Sequence, residues 1–440
     1  MKISKKSLIL LILNIIICPL LGNTNLFGLE SLDKFNKFFL FLLPALYFIS
    51  FIWDILKNKT KLKLDFLTIL IFLLIISLSI SIITGINIDF NTFTNLICFI
   101  YILLFVYTIH IYNFSKEDLI KILKAIILGF IIVSLIGIIQ YLFDINLIER
   151  GIHKYPGAKG RITSTMSNAT ILDKYLTFNL LIIIYLMYKE KKFNWKLIGL
   201  FLLGIIALSF TYSRTGTVCF YFIVIVFALF FIFKKQFINT LVILLSLVVL
   251  YLLPGQKYLL SSTVIYVNDT INEVYEKLNI TFLSPINNTI ANWFIIDGTD
   301  ASDDSLNSRD YYMEVAKRVM MEHPYSGVGV GNYNYLYKHQ NVNDYLENDL
   351  DLKIEYLYPH NLYYHYGAEC GIISLILLIG LFITIMIKSI KNHNIIIGIL
   401  FLFIFLLFNT TESLLYMKDI AFFSIIVYSL MMKKSYESKS

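Results

Sequence analysis

The chain has 440 residues, of which 58% are hydrophobic, against roughly 45–50% in soluble domains. Its formal net charge of +7 comes from basic residues dispersed among short turns, which is not the concentrated basic face of a nucleic-acid-binding protein. The four cysteines lie in or beside apolar runs without metal-ligand spacing, which argues against a zinc site or a disulfide framework. The composition excludes a soluble domain and indicates an all-α polytopic membrane protein.

Apolar runs long enough to cross ~30 Å of hydrocarbon recur along the chain. The first follows Lys5 and Lys6 and resembles a signal peptide, but it lacks a small-residue cleavage pattern, so we interpret it as a retained helix. The pattern predicts about twelve transmembrane helices. They lie near residues 7–22, 36–56, 65–85, 92–112, 122–144, 173–189, 197–213, 215–233, 237–254, 361–387, 394–410 and 417–432.

The distribution of basic residues predicts the orientation, because positive charge is retained in the cytoplasm. With a cytoplasmic N-terminus, the inner segments hold 21 of the 37 basic residues. Seven of the 16 outer ones lie in a single long loop, where the rule has little force. Both termini are therefore expected to be cytoplasmic and the long loop to face outward.

The long loop, residues 254–360, interrupts the apolar pattern between predicted helices 9 and 10. It contains 15 of the 30 acidic residues. We predict one integrated membrane domain in three parts: helices 1–9 over 1–253, the extracytoplasmic loop over 254–360, and helices 10–12 with a short cytoplasmic tail over 361–440. Polar chemistry gathered at one face is typical of a protein that works at that face.

Within this loop, Ser305–Glu322 has the spacing of an amphipathic helix. Its apolar stripe predicts a helix that lies on the membrane surface. Arg309 falls in the predicted first turn, where the helix dipole disfavours a cation, and this placement suggests an anionic partner. The stripe consists of Tyr312, Val315, Ala316, Val319 and Met320.

Arginine is scarce and unevenly placed: the chain has 32 lysines and five arginines. All five arginines fall on the predicted outer side. Lysine suffices to anchor a membrane segment, whereas the rigid fork of arginine suits a phosphate gripped at two points. The alternative is that they form ordinary salt bridges within the loops. The five are Arg150, Arg161, Arg214, Arg309 and Arg318.

Pro359-His360-Asn361 stands at the start of the tenth predicted span. A histidine there could act as a general base, with the amide groups of the helix start facing an anion, although a lone interfacial histidine is more often structural. Glu369 lies about two and a half turns into the apolar helix. A carboxylate at that depth needs a partner or a function, and His365, one turn earlier, is the candidate partner.

Gly327-Val-Gly329-Val-Gly331 superficially resembles a dinucleotide-binding loop. Its glycines do not have the G-x-G-x-x-G offsets, and the segment follows no strand of a βαβ unit. We therefore interpret it as a tight backbone turn.

Three stretches, taken in order, resemble the bacterial O-antigen ligase and O-antigen polymerase superfamily, over roughly residues 155–410. They are Thr211-Tyr-Ser-Arg-Thr-Gly216, then Ser308-Arg309 with His323-Pro-Tyr-Ser-Gly-Val-Gly-Val-Gly-Asn332, then His360-Asn361 with Glu369-Cys-Gly371. The predicted topology, with a large outer loop before the last three helices, agrees with this resemblance.

The resemblance implies a metal-independent, inverting glycosyltransferase with a C-type membrane fold and no cofactor. Its donor would be a glycan on undecaprenyl diphosphate, and its location the bacterial cytoplasmic membrane. On the family pattern, Arg214 and Arg309 match the arginines that hold the lipid diphosphate, and His360 matches the essential histidine. Arg161 matches less well, because the Pro-Asn pair that usually follows is replaced by Ser164-Thr-Met-Ser-Asn-Ala. Asn361, His365 and Glu369 would support the site.

Two alternatives remain open at this stage. Within the superfamily, the protein could polymerise repeat units, with another lipid-linked glycan as the acceptor, instead of ligating the glycan to lipid A-core or to protein. In a different class, it could be a polysaccharide exporter, which would be expected to show repeat symmetry and charged groups near the midplane of several helices.

Overall fold

The structure is a computed structural model. It describes residues 1–22, 32–60, 64–145, 147, 159–190, 194–278, 280, 284–292, 295, 304–333, 359–392 and 395–433. Within these residues the chain is helical and forms no β-strand. The helices are α1 Lys5–Ile17, α2 Leu32–Asn58, α3 Phe66–Ile83, α4 Phe90–Ile111, α5 Lys116–Leu142, α6 Ala169–Lys189, α7 Trp195–Ser209, α8 Arg214–Phe233, α9 Phe237–Leu252, α10 Gln256–Lys277, α11 Ser284–Asn292, α12 Asp304–Glu322, α13 Leu362–Lys391, α14 Ile395–Thr411 and α15 Lys418–Leu430.

Each of the twelve predicted spans falls on one of these helices, which confirms a mainly helical membrane protein. Seven of the described helices are long and apolar enough to cross a membrane, or up to eight if a bent pair counts as one span. The exact count of twelve stays a prediction, because α1, α7, α9, α14 and α15 are no longer than 17 residues.

The position of the outer loop also stays a prediction. After α9 the chain continues into the 22-residue helix α10, bent by 96° from it. Only the two helices taken together are long and apolar enough to cross a membrane. The described part of residues 254–360, expected as a loop, therefore contains three helices, of which α10 either lies outside the membrane or completes a broken span.

The helices form two compact units. One contains α1–α4, the first half of α5 and α12–α15, and in it α3 packs against α13 and α4 against α15. The other contains the second half of α5 and α6–α11, and in it α6 packs against α7 and α8. In the apolar stretch of α6, 83% of the residues are buried, against 39–50% in the six other spans. Helix α6 is therefore the most enclosed of these spans.

Polar residues at the helix boundaries act as caps, which satisfy the first amide groups of each span. Asp65 accepts from the Thr68 N–H at 3.0 Å and begins α3. Asp89 and Thr92 form a capping box at α4. Asn168, Asn194, Ser213 and Asn361 cap α6, α7, α8 and α13 in the same way.

Contacts within each unit join helix ends that the predicted alternation places on one side. In the first unit, Lys388 at the end of α13 binds Asp65 at the start of α3 at 2.8 Å, and both ends are expected to be cytoplasmic. In the second, Tyr212 after α7 donates to the Pro254 carbonyl after α9 at 3.0 Å, and both ends are expected outside. Which side is cytoplasmic follows only from the lysines and stays a prediction.

Helix α12 begins at Asp304, one residue before the predicted start, and ends at the predicted Glu322. Its apolar stripe does not lie on a membrane surface, which corrects the sequence interpretation. Val315, Ala316 and Val319 are buried against Val328, Tyr333 and Ala368, with Tyr312 and Met320 packed beside them. The amphipathic period is the same for a lipid-facing and a protein-facing helix, so it did not identify the partner.

The early start of α12 also removes one argument about Arg309. This arginine is the sixth residue of the helix and lies in its second turn, beyond the first turn where the dipole acts on a charge. Its placement therefore no longer requires an anionic partner.

Helix α13 is broken at Gly371, which has φ 82° and ψ 166°. The break leaves backbone carbonyls of the preceding turn without helical partners, and the glycine loop 327–331 supplies donors. Val328 N–H donates to Ala368 O and Gly329 N–H to Glu369 O, each at 2.9 Å. The expected tight turn is confirmed, since Gly327 has φ 66° and a Cβ there would meet the Glu369 carbonyl.

We expect Gly371→Ala to destabilise the protein, whereas Gly199→Ala should not. A Cβ at Gly371 would lie closer than 3.0 Å to the Tyr325 carbonyl, in a backbone conformation that costs about 1–3 kcal/mol for other residues. Gly199 is exposed in α7 with nothing within 4 Å of an added Cβ, so alanine there should be neutral or stabilising by up to ~1 kcal/mol. Thermal unfolding of both variants in detergent measures this, and equal midpoints would contradict the prediction.

Candidate functional site

The start of α13 is fixed by its polar residues. The Asn361 side chain accepts from the Tyr363 and Tyr364 N–H groups at 3.0 and 3.2 Å, so it caps the helix. Its amide also donates to the Thr410 carbonyl at the end of α14, at 3.4 Å. His360, just before the cap, has φ 49°, an uncommon conformation for histidine that directs the chain into the helix.

His360 lies against a carboxylate that the sequence analysis did not single out. Its Nδ1 is 2.9 Å from Oε1 of Glu412, in the connection between α14 and α15. The His360 side chain is 26% exposed and that of Glu412 only 1%. An acceptor at Nδ1 favours the tautomer with the proton on Nδ1 and places the basic lone pair on Nε2. This arrangement suits an imidazole that takes up a proton.

Glu369 has the partner expected from sequence, because its Oε1 lies 3.5 Å from His365 Nε2. Further partners are the Tyr333 N–H at 3.2 Å and the Tyr416 hydroxyl at 2.8 Å. The His365 ring stacks on Tyr416, with centroids 3.8 Å apart. Both His365 and Glu369 are buried. Through Tyr333 and Tyr416, the cluster joins α13 to the residues that follow the glycine loop and to the α14–α15 connection.

Tyr416 serves this cluster as a hydrogen-bond donor. Burial, together with the adjacent Glu369 carboxylate, raises the pKa of the Tyr416 phenol well above its ordinary value. The phenol therefore keeps its proton and donates to Glu369.

Arg214 is the first residue of α8, directly after the Ser213 cap. The turn before it is tied to Arg161, whose Nε donates to the Thr211 carbonyl at 2.8 Å. Two sequence-predicted arginines thus lie at one turn in the unit of α6–α11. The amide groups at the start of α8 and these guanidinium groups favour an anion.

Asp173 and Lys174 are adjacent in α6, and Asp173 contacts the turn that precedes α8. The Asp173 carboxylate accepts from the Ser213 hydroxyl, and its Cβ lies against Gly216. Lys174 Nζ lies 3.3 Å from Asp173 Oδ1 and donates to the Thr170 carbonyl at 2.7 Å. Both side chains are fully enclosed, with 1% exposure or less. A charged pair at the start of a predicted span was the available signal, since intramembrane charges seldom lack a role.

The remaining arginines are less informative. Arg309 lies on α12 in the same unit as His360, but its side chain, like the whole of Arg150, falls outside the described residues. Arg318 pairs with Glu314 at 3.3 Å, as expected for a solvated helix face. Arg161 and Arg214 belong to the other unit.

The model of the O-antigen ligase family matches residues 199–379. This match confirms the resemblance to the O-antigen ligase superfamily. Over these residues the chain is similar to O-antigen ligases. No curated protein matches the chain.

The matched segment begins within α7 and ends within α13. It contains Arg214, Arg309 and His360, and it also covers Glu369 and the glycine loop. Arg161, Asp173 and Glu412 lie outside it. Each of the three contacts a residue of the matched segment within its own unit: Arg161 contacts Thr211, Asp173 contacts Ser213 and Glu412 contacts His360.

We expect Asp173→Ala to be strongly destabilising, because it leaves Lys174 buried without its carboxylate. Breaking a buried ion pair from one side costs about 3–5 kcal/mol. Asp173→Asn keeps an acceptor for Ser213 and should lose less. The thermal midpoint of the purified variants is the measurement.

The double variant Asp173→Ala/Lys174→Met is the control for this prediction. It removes both charges and should recover part of the loss, since it leaves no unpaired ion. A single Asp173→Ala protein as stable as the parent would show that the pair does not hold the Arg214 turn.

Proposed function

We propose that the protein transfers a glycan from undecaprenyl diphosphate to an acceptor hydroxyl at the outer face of the bacterial cytoplasmic membrane. His360 accepts the proton of the hydroxyl as its oxygen attacks the anomeric carbon. The bond to the diphosphate breaks on the opposite side, so the configuration at that carbon inverts. The observation that carries the proposal is the His360–Glu412 pair, which orients an imidazole that lies within the segment matched to O-antigen ligases.

Arg214, Arg309 and Arg161 hold the diphosphate and match the charge that grows on it as it leaves. Guanidinium groups bind two phosphate oxygens at once, which a lysine ammonium does not. The start of α8 adds oriented amide groups next to Arg214. Fixed positive groups that face developing negative charge are the largest contribution in many enzymes.

We place this chemistry outside the membrane because the lysines accumulate in the segments predicted to be cytoplasmic. Undecaprenyl diphosphate carries the glycan there, and the acceptor is a second glycan or glycolipid. Asn361 and His365 contribute by fixing the start of α13, and Glu369 by joining that helix to the glycine loop.

Purified protein with a labelled undecaprenyl-diphosphate glycan and candidate acceptors tests the proposal. We expect release of undecaprenyl diphosphate and a labelled product, whose identity distinguishes ligation from repeat-unit polymerisation. His360→Ala should lower the rate on the order of 10²–10⁴-fold, the range for loss of a general base. Arg214→Lys and Arg309→Lys should lose most activity and bind donor more weakly, whereas His360→Ala should still bind donor.

Arg318→Lys is the matched control, since Arg318 is already paired with Glu314 on α12. It should transfer at nearly the parent rate. A correctly inserted His360→Ala protein that transfers at the parent rate would refute the mechanism, and transport of the lipid-linked glycan without release of lipid diphosphate would favour an exporter.

The same assay in excess chelator tests the proposed metal independence. We expect full activity, because arginines neutralise the diphosphate. In the part of the chain that the structure describes, no three His, Cys, Asp or Glu side chains group as metal ligands. Activity lost with chelator and restored by magnesium or manganese would contradict this prediction.

A further inference from the structure

We propose that Glu412 is a positioning residue that fixes His360 in the tautomer and orientation required of the base. The inference rests on the proposed function. Glu412 accepts the Nδ1–H of the neutral imidazole, so that Nε2 takes the acceptor's proton. As the acceptor oxygen bonds to the anomeric carbon, the electron pair of the broken C–O bond goes to the diphosphate. The resulting imidazolium is paired with the Glu412 carboxylate.

The backbone around Glu412 is fixed independently of His360. Glu412 N–H donates to the Phe408 carbonyl at 2.9 Å, which extends the last turn of α14. Asn409 Oδ1 accepts from the Leu414 N–H at 3.2 Å and closes the following turn. The backbone that carries the Glu412 carboxylate is therefore held in place without the imidazole.

The two chain segments that carry the pair are also joined beside it. The Asn361 amide reaches the Thr410 carbonyl, and His365 Nδ1 lies 3.2 Å from Ser413 Oγ. Residues on both sides of His360–Glu412 thus connect the start of α13 to the α14–α15 connection. A group that must hold a reacting atom to within about 0.5 Å needs this kind of supporting contact.

The burial of Glu412 makes its contact with His360 energetically important. A carboxylate with 1% exposure is costly unless it is paired, and the proposed base lies 2.9 Å from this one. A nucleophile-activating base oriented by a third group is a recurrent arrangement in group-transfer enzymes. Loss of the orienting carboxylate in such a unit can lower the rate by about 10⁴-fold through the wrong tautomer.

The first measurement needs no variant. Nitrogen-15 NMR of histidine-labelled protein reports which ring nitrogen carries the proton, and His360→Ala assigns the His360 signal among the seven histidines. We expect neutral His360 in the parent to be protonated on Nδ1. A parent protein with the proton on Nε2 would overturn the inference whether or not the protein transfers glycan.

Kinetics of Glu412→Gln give the second measurement. Glutamine keeps an acceptor near Nδ1 but removes the charge and the fixed preference for one tautomer. We expect kcat to fall on the order of 10²-fold or more, with KM for donor and acceptor changed less than about threefold, because the residue acts on the base and not on binding. Glu412→Asp restores a carboxylate at a greater distance and should retain more activity than Glu412→Gln.

Asp54→Asn is the matched control. Asp54 is a carboxylate of the same unit, 3% exposed, which accepts from the Tyr112 and Ser7 hydroxyls at 2.8 and 2.7 Å away from His360. It should leave kcat within about twofold of the parent. A loss equal to that of Glu412→Gln would show that any buried carboxylate of this unit affects the rate through stability, which would overturn the inference.

A double variant separates positioning from general support. In the His360→Ala background, Glu412→Gln should lower the residual rate by less than about threefold, because residues that act as one unit are non-additive. Full additivity, or a Glu412→Gln protein with parent kcat while His360→Ala is inactive, would overturn the role of Glu412 and leave the proposed function standing. A parent that releases no lipid diphosphate would refute the proposed function itself.

Discussion

Satisfaction of the backbone where α13 breaks is the constraint on which the arrangement of its unit depends. A membrane-embedded helix cannot leave carbonyl groups without donors, so irregular backbone persists there only where protein supplies them. The Ala368 and Glu369 carbonyls receive the Val328 and Gly329 N–H groups, and Ser81 adds its hydroxyl to Glu369 at 2.7 Å. The glycine loop therefore has a structural role, because its Val328 and Gly329 amide groups bond to helix α13.

Paired burial explains how the protein keeps charged residues among apolar helices. Asp173 and Lys174 lie on α6, the most enclosed span, where they neutralise each other. Glu369 is enclosed by two tyrosines and a histidine. Each of these charges has partners within its own unit, and the partners join particular helices and connections to one another. Burying the charges has a desolvation cost that hydrophobic side chains would not have.

Sequence patterns predicted those features that depend on neighbouring residues. The period of α12 placed its helix within one residue at the start, and the glycine spacing correctly excluded a dinucleotide loop. The predicted partner of the apolar α12 stripe was wrong. A single sequence does not show whether an apolar helix face contacts lipid or other protein residues, which here include Val328 and Ala368. His365 was found as the partner of Glu369 since the two are one helical turn apart.

Residues that act across long sequence separation were missed for the same reason. Glu412 is 52 positions from His360, and Asp173 is 40 positions from Ser213. Each could have been noticed only as a carboxylate beside an apolar run, a signal that identifies no partner. The apolar pattern also does not fix the number of membrane crossings, since helices of 13–17 residues satisfy it without the length of a full span.

The first turns of α13 are restrained by contacts at both ends and on one side. Asn361 caps the segment at its start, the glycine loop holds its end, and the His365–Tyr416 stack holds its side. A segment restrained at both ends and on one side has little freedom to change the position of the residue that precedes it. Under the proposed function that residue is the base, and a base is effective only when its nitrogen stays within hydrogen-bond reach of the proton it removes. Under the proposed function, the break at Gly371 therefore supports the base, because it exposes the carbonyls through which the glycine loop restrains the segment that follows His360.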